Sequence, residues 1–446
     1  MQITAPDTRL PAADAVRSTL GRHVLTDGYP MVLDMKASRG AMLRDAATGK
    51  EYVDFFTFYA SNPLGMNHPA LAGDGPEAQA FRERLMDAAL NKVANSDVYT
   101  PHYARFVETF GRVGIPDELP HAFFVSGGAL AVENALKVAF DWKVRKNKRK
   151  GYSGERGTKV LHFREAFHGR SGYTMSLTNT DPNKVSGYPK FDWPRVTNPK
   201  IRGGDVEWRE EIALRQARQA FVDHPDEIAS IIIEPVQAEG GDNHFRPEFL
   251  RALRQLADEQ DALLIFDEVQ TGVGLTGAFW AAQALGVMPD VIAFGKKTQV
   301  CGILAGRRVD EVDDNVFQKS SRINSTWGGN LVDMVRFDRI LEVIEGDDLL
   351  ANVRQQGAYL QGRLDGLAER FDAVTEPRGR GLMCAFDLPD GATRAAVLKR
   401  AYADGLIALG CGTRTVRFRP ALTITEGDLA AGLEILEGAL AAELET

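Results

Sequence analysis

Short apolar runs alternate with helical patterns between about residues 70 and 325 of this 446-residue chain. Each run has the length of a buried strand, and six of them stand out: Ala122–Val125, Lys159–Phe163, Ile228–Glu234, Leu263–Asp267, Asp290–Phe294 and Ile303–Ala305. Helical patterns separate them at Ala129–Lys146, Val206–Val222 and Pro247–Gln260. This alternation predicts an α/β fold with a mostly parallel sheet covered by helices.

The chain is too long for one ordinary core, and its two ends differ from the middle. We predict an N-terminal arm and part of a small domain at 1–69, with a short helix around residues 12–23 and a meander at 45–58. A large domain follows at 70–329. The segment 330–446 predicts the rest of a smaller α+β domain, with helices and strands at Leu331–Ile344, Leu349–Phe371, Leu382–Leu388, Val416–Arg419 and Glu426–Glu443.

Composition excludes several classes of protein. The formal net charge of −8 argues against a nucleic-acid or membrane-surface partner, and no apolar run approaches the length of a membrane span. Cys301, Cys384 and Cys411 show neither a CxxC motif nor metal-ligand spacing, so no metal is predicted. An odd number of cysteines and the absence of a signal-peptide pattern favour a cytoplasmic protein.

Two of the apolar runs end in chemically reactive side chains. One run leads into Asp267-Glu268, and the other leads through Gly295 into Lys296-Lys297, 29 residues after the acid. The carboxyl ends of neighbouring parallel strands are where α/β folds bind ligands. A lysine that holds an aldehyde as an imine, beside a carboxylate that keeps a pyridine nitrogen protonated, is what pyridoxal phosphate chemistry requires. Periodicity does not choose between the two lysines, and Glu268 rivals Asp267, which could also simply cap a turn.

A glycine turn between a strand and a helix supplies a possible anion site. Gly127 and Gly128 follow the first run, and Gly128 and Ala129 are small enough for a phosphate to approach the main chain. The N–H groups at the start of a helix favour an anion there. A plain strand-to-helix connection explains the same pattern equally well.

Two arginines are candidates for carboxylate recognition. Arg170 follows the strand that ends at Phe163, and Arg417 belongs to the C-terminal segment. An arginine binds a carboxylate through two parallel hydrogen bonds, although either residue could be part of a structural ion pair. Next to Arg170, Phe167 or His168 could stack on a flat ring.

With these landmarks the chain resembles the class III, fold-type I aminotransferases over nearly its full length. The matching segments are Ala131–Lys137, Phe167–Arg170, Glu234–Gln237, Phe266–Gly272, Gly295-Lys296 and Thr326–Asn330. The resemblance implies pyridoxal 5'-phosphate as cofactor, with Lys296 holding it and Asp267 paired with its ring nitrogen. It assigns Gln270 to the ring oxygen and Gly128 with Ala129 to the phosphate. It assigns Thr326 to the phosphate of a partner subunit, so a homodimer with shared sites is implied.

Within that class, three blocks are similar to the members that act on the terminal amine of lysine: 191–194, 295–302 and 324–329. They imply transfer of the ε-amino group of L-lysine to 2-oxoglutarate, which gives L-glutamate. Arg170 and Arg417 would bind substrate carboxylates, Glu239 would pair with Arg417, and Asn324 is also assigned to the substrate. The alternative is another ω-amino donor, namely ornithine, acetylornithine or 4-aminobutyrate.

The chain departs from the class pattern in two places. Gly127, Ala129 and Leu130 stand where the phosphate loop usually has hydroxyl residues and a glutamate, so phosphate binding must depend more on backbone N–H groups. Leu275 replaces an arginine of the class. A nicotinamide oxidoreductase is disfavoured because no GxGxxG opens a helix after an early strand. A non-catalytic relative is expected to lack Lys296, which this chain keeps.

Overall fold

A seven-stranded sheet forms the centre of the computed structural model, which describes residues 10–445. Its strands are, in spatial order, His121–Val125, Cys301–Ala305, Val291–Phe294, Leu263–Asp267, Ile228–Ile233, Lys159–Phe163 and Arg195–Val196. The six predicted strands are confirmed, and the short edge strand at 195–196 was not predicted. Cys301–Ala305 runs antiparallel to both of its neighbours, so the sheet is mostly, and not wholly, parallel.

The α-helices of the described residues are Ala13–Leu20, Pro69–Ala72, Pro76–Leu90, Pro101–Val113, Gly128–Arg149, Thr174–Leu177, Pro182–Val185, Val206–Asp223, Pro247–Glu259, Ala281–Leu285, Leu331–Gly346, Leu349–Arg370, Gly391–Asp404 and Glu426–Leu444. Short 3₁₀ helices occur at Lys296–Thr298 and Arg307–Glu311. Between residues 10 and 445 no helix combines the length and the apolar character needed to cross a membrane.

Burial on both faces explains why the central strands are continuous apolar runs. All six residues of Ile228–Ile233 and all five of Leu263–Asp267 are buried, as expected for a sheet covered by helices. The helix Pro247–Glu259 shows how one cover is built. Proline stands at its first turn, where its missing N–H costs no hydrogen bond. Its buried face is spaced at three and four residues, and consists of Phe249, Leu250, Leu253, Leu256 and Ala257.

Two smaller sheets join distant parts of the chain. Antiparallel strands form a sheet in the order Thr375–Arg380, Met383–Asp387, Thr415–Phe418 and Leu409–Cys411. The hairpin of Met42–Arg44 and Glu51–Asp54 pairs in parallel with Leu406–Ile407, so N- and C-terminal segments share one sheet. The division at 1–69, 70–329 and 330–446 stays a prediction, and its residues 1–9 and 446 lie outside the described part.

The segment Thr57–Ala60, which begins inside the predicted meander, winds the opposite way to an ordinary helix. All four residues have positive φ, between 39° and 63°, and none is glycine. Left-handed backbone costs roughly 1–2 kcal/mol per L-residue. Asp54 Oδ1 accepts the N–H groups of Phe56 and Thr57 at 2.8 and 2.7 Å, and the Thr57 hydroxyl donates to the Arg419 carbonyl at 2.6 Å. These buried hydrogen bonds hold the turn in place.

Candidate active site

A cavity of about 300 Å³ opens at the carboxyl edge of the central sheet. The strands Leu263–Asp267 and Val291–Phe294 are parallel neighbours with Ala293 opposite Asp267, so residues that follow both strands reach the same space. Most predicted cofactor residues line it: Gly128, Ala129, Phe167, His168, Asp267, Gln270 and Lys296. The carboxyl ends of the central strands therefore bring these side chains together, as the sequence predicts.

Of the two adjacent lysines, only Lys296 lines this cavity. Its φ is 54°, a left-handed conformation that is uncommon for a lysine and turns the chain sharply after Gly295. Lys297 is buried elsewhere and donates from Nζ to the Gln270 carbonyl at 2.7 Å. Burial lowers the pKa of Lys296, and the charge of Arg417 lowers it further while Asp267 raises it. The Lys296 amine is thus uncharged at a lower pH than an exposed lysine.

The side chains of the adjacent acids Asp267 and Glu268 also point to different places. Asp267 lines the cavity and is held by the His168 Nδ1 at 2.7 Å and by the Val269 N–H at 3.1 Å. Glu268 instead accepts the N–H groups of Ala281 and Ala282 at 2.7 and 2.8 Å, at the start of the next helix. Glu268 therefore caps a helix, and Asp267 is the acid that faces the cavity.

His168 is a buried partner of Asp267 and not an exposed stacking group. Burial alone would lower its pKa, but the hydrogen bond to Asp267 and the charges of Asp267 and Glu234 outweigh burial and raise the pKa. The hydrogen bond from His168 Nδ1 fixes the orientation of the Asp267 carboxylate. Of the two residues predicted to stack on a ring, the half-buried Phe167 has the side chain suited to it.

Four further lining residues were not predicted as site residues: Val132, Gly169, Glu234 and Val269. Glu234 accepts the N–H groups of Phe167 and Ala238 at 2.9 and 3.1 Å, and burial raises its pKa to about 7. The sequence contained the signal for it, because Glu234 follows a buried strand just as Asp267 ends one. Val269 belongs to the segment 266–272, in which only Asp267 and Gln270 were predicted to have a role.

The predicted anion site lies at the start of the helix Gly128–Arg149. Gly127 has a φ of 116°, and a Cβ on Gly128 would lie 3.1 Å from Val269 Cγ1. Gly169 is as restricted, since a Cβ there would fall 2.5 Å from the Ala129 Cβ. The first N–H groups of a helix have no acceptor within the helix and remain available to an anion.

A larger chamber of about 1190 Å³ adjoins Lys296 and is lined by the predicted substrate residues Arg170, Glu239, Gln270 and Arg417. Arg170 is exposed and Arg417 is buried, so the two cations stand at different depths. The Gln270 side-chain oxygen accepts from Arg417 Nη1 at 3.3 Å and from Arg419 Nε at 2.9 Å. Its amide nitrogen is thereby left as the group available to a ligand.

The predicted pair of Glu239 with Arg417 is not formed in this structure. Glu239 forms an ion pair with Lys184 and accepts from the Thr180 hydroxyl at 3.2 Å. Lys184 was not predicted as a site residue, because it lies on a short helix, Pro182–Val185, that shows no apolar periodicity. Among the described residues, no carboxylate comes within ion-pair distance of Arg417.

Asn324 and Thr326 are the predicted site residues that the single chain does not bring to either cavity. Both are exposed. Their segment is anchored at its backbone, where the Ser96 hydroxyl donates to the carbonyls of Ser325 and Thr326 at 2.8 and 3.2 Å.

The family model described as "Aminotransferase class-III" matches residues 25–440. This chain belongs to the class-III aminotransferases. The predicted family and fold are confirmed, and so is the predicted pyridoxal phosphate-dependent aminotransferase activity.

Relatives of this aminotransferase match it over nearly their full length. The L-lysine-epsilon aminotransferase of Mycobacterium tuberculosis is 58% identical, over 96% of this chain and 95% of the relative. That of Amycolatopsis lactamdurans is 55% identical over 99% of both chains. Among solved structures, the lysine aminotransferase of M. tuberculosis in the internal aldimine form has a TM-score of 0.95 and 57% identity, and the match covers 97% of this chain and 100% of that one.

The cavity of this aminotransferase fits pyridoxal 5'-phosphate. It combines a buried lysine amine, an aspartate clamped by His168 and a helix start at which glycines allow close approach. A buried acid beside the cavity suits a ring nitrogen that must stay protonated, because an anion stabilises the charged form of its partner.

Proposed function

We propose that this aminotransferase moves the ε-amino group of L-lysine to 2-oxoglutarate and releases 2-aminoadipate 6-semialdehyde and L-glutamate. The observation that carries the proposal is the chamber beside Lys296, which contains an exposed arginine, a buried arginine and Glu239, an acid that is paired with Lys184. The relatives named L-lysine-epsilon aminotransferase, at 51–58% identity, support the choice of donor.

The residues of the smaller cavity would hold the cofactor. Lys296 would bind its aldehyde, Asp267 its ring nitrogen, and Gly128 with Ala129 its phosphate through backbone N–H groups. Phe167 and Val269 would contact the ring, and the Gln270 amide nitrogen would donate to the ring oxygen. When bound, the cofactor withdraws electrons from the reacting carbon of the substrate and carries the amino group between the two substrates.

Lys296 would move the proton that each half-reaction requires. Its lowered pKa leaves a larger share of the amine uncharged near neutral pH than an exposed lysine has, so it can accept a proton from the substrate carbon. The Asp267 carboxylate would face the ring nitrogen because its orientation is held by His168, which donates to Oδ2, and by the Val269 N–H, which donates to Oδ1. Asp267 and His168 are both buried, and the exclusion of water strengthens the hydrogen bond between them.

The two substrates place different demands on the chamber. Lysine reacts at its terminal amine, so its single carboxylate lies far from the reacting carbon. Glutamate reacts at a carbon that bears one carboxylate directly and carries the other three bonds away. Both substrates need a cation far from the reacting carbon, which suits Arg170. Only glutamate needs a cation close to that carbon, which suits Arg417, so the charge of Arg417 must be neutralised when lysine binds.

Glu239 is the residue that would neutralise Arg417 by forming an ion pair with it. A buried, unpaired guanidinium costs several kcal/mol, so an anion beside Arg417 would stabilise the enzyme while it binds lysine, which supplies no carboxylate there. In this structure Glu239 is turned toward Lys184, which corresponds to the arrangement that accepts a dicarboxylate. Replacing Glu239 with alanine is expected to change the ratio of the lysine and glutamate half-reaction rates.

We further propose a homodimer whose sites are shared between subunits. The exposure of Thr326 and Asn324, away from both cavities of their own chain, supports their acting on the partner's cofactor and substrate. Three free cysteines support a reducing, cytoplasmic setting. The reaction itself supports a role in lysine catabolism, because it consumes the ε-amine of lysine.

The donor is tested by comparing amines with purified holoenzyme and 2-oxoglutarate. Lysine is expected to show the highest kcat/KM, with formation of a semialdehyde that cyclises to piperideine-6-carboxylate. Ornithine, acetylornithine and 4-aminobutyrate serve as competitors. A higher kcat/KM for any of these three would contradict the proposal.

A further inference from the structure

The short helix Pro182–Val185 brings a further basic side chain into the substrate chamber. Asp181 caps this helix by accepting the Asn183 N–H at 2.9 Å, and Pro182 occupies its first turn. Lys184 then projects into the chamber that also contains Arg170, Arg417 and Lys296. Its ammonium lies 5.7 Å from the centre of the Phe167 ring.

The charges around Lys184 explain why it takes a carboxylate partner. Burial lowers its pKa; Asp181 raises it, and the positive charges of Arg170 and Arg417 lower it further. Lys184 is therefore a cation that other cations repel. It forms an ion pair with Glu239, and the Thr180 hydroxyl donates to the same carboxylate.

We infer that Lys184 is a positioning residue that competes with Arg417 for Glu239 and thereby sets the balance between dicarboxylate and lysine binding. The inference rests on the proposed function and deepens it. While Glu239 is on Lys184, Arg417 keeps the Gln270 oxygen as an acceptor, and its Nε has no hydrogen-bond partner among the described residues. Arg417 is then open to the carboxylate next to the reacting carbon. Lysine binding requires Glu239 to leave Lys184, so Lys184 favours the dicarboxylate.

A direct role for Lys184 makes a different prediction. If its ammonium bound the distal carboxylate together with Arg170, both substrates would lose that contact equally when Lys184 is removed, whether or not Glu239 can move. The competing role predicts a loss for one substrate only. It also predicts that the loss disappears when Glu239 can no longer act as an anion.

The test uses holoenzyme carrying Lys184→Met, Lys184→Arg, Glu239→Gln or the Met/Gln double substitution, with Lys190→Met as control. Lys190 lies in the same segment and donates to the Tyr188 carbonyl, without contact to Glu239. Two quantities are measured: the dissociation constant of glutarate, an unreactive dicarboxylate, by calorimetry, and the single-turnover rates with lysine and with glutamate.

Lys184→Met is expected to weaken glutarate and glutamate about fivefold, the size expected for a partly exposed ion pair, and to leave lysine unchanged or improved. Lys184→Arg and Lys190→Met should retain wild-type ratios, and Lys184→Met should have no effect in the Glu239→Gln background. Equal losses for lysine and glutarate, or a loss that persists in that background, would overturn the inference. If Lys184→Met weakens glutarate as expected but the wild-type enzyme does not react with lysine, the proposed donor is refuted and the effect of Lys184 on dicarboxylate binding stands.

Discussion

Arg419 and Asp242 form an ion pair in which neither side chain reaches solvent. Arg419 Nη1 donates to Asp242 Oδ2 at 2.9 Å, while its Nε donates to the Gln270 side chain. One buried guanidinium thus connects the segment after Glu239, the C-terminal domain and a residue that lines both cavities.

Replacing Asp242 with asparagine is expected to destabilise the protein strongly. The substitution leaves the Arg419 charge buried without an anion, which costs roughly 3–5 kcal/mol. Urea denaturation followed by tryptophan fluorescence measures the loss. The exposed pair of Arg251 and Glu248 provides the control, and Glu248→Gln should change stability by less than about 1 kcal/mol. Similar losses of unfolding free energy in Asp242→Asn and Glu248→Gln would contradict the expectation that the buried ion pair matters more than the exposed one.

Substitutions of the neighbouring lysines Lys296 and Lys297 should have different effects. Lys296→Ala is expected to abolish turnover together with the absorbance band of the covalently held cofactor. Lys297→Met should keep that band and lower stability, because Lys297 donates to the Gln270 carbonyl away from the cavity. Absorbance spectra and thermal unfolding of both variants measure these effects. An active, still yellow Lys296→Ala protein would refute the assignment.

The neighbouring acids offer a second matched comparison. Asp267→Asn is expected to weaken cofactor retention and to slow proton transfer by about 10²-fold or more, because it removes the charge opposite the ring nitrogen. Glu268→Gln should retain the cofactor and cost about 1 kcal/mol of stability through the helix cap at Ala281 and Ala282. Dialysis followed by a cofactor assay distinguishes them. Equal loss of cofactor from both would be inconsistent with the geometry.

Glu234 should make the protein less stable as pH rises from about 5 to 7. Burial raises its pKa to about 7 in the folded state, so the folded chain keeps a proton that the unfolded chain has already released. Stability is then lost as pH increases through this interval. Glu234→Gln cannot ionise and should reduce the difference in unfolding free energy between pH 5 and pH 8 by roughly 2 kcal/mol. An unchanged difference would show that another group is responsible.

Subunit mixing tests whether Thr326 serves the partner's site. Thr326→Asp adds a negative charge where a phosphate is proposed and should inactivate the protein, as Lys296→Ala does. If the two variants are co-expressed and pair at random, half of the dimers are mixed and one site in each is intact. About a quarter of wild-type activity should therefore return. Lys296→Ala with Asp267→Ala should restore none, because both changes affect residues of one cavity.

Sequence reasoning succeeded where function follows directly from strand ends. Two parallel neighbouring strands predicted that an acid and a lysine reach one edge, and the register of Ala293 opposite Asp267 brings them there. The choice of Asp267 and Lys296 over Glu268 and Lys297 came from the family resemblance. The partner of a side chain could not be predicted where several groups lie within reach of it in the folded chain. Neither the pairing of Glu239 with Lys184 nor the burial of Arg419 leaves a periodic trace, because both depend on segments more than 50 residues apart. The helices Pro76–Leu90 and Pro101–Val113 were also missed, although each begins with a proline at its first turn.

The left-handed turn Thr57–Ala60 limits how this chamber can be re-engineered, because Phe58 and Tyr59 form part of its wall. Its winding depends on hydrogen bonds from outside the turn, made by the Asp54 carboxylate and the Arg419 carbonyl. A loop graft of the four residues alone would relax to the right-handed form in a new scaffold and direct both aromatic rings elsewhere. The transferable unit is the turn together with its two acceptors.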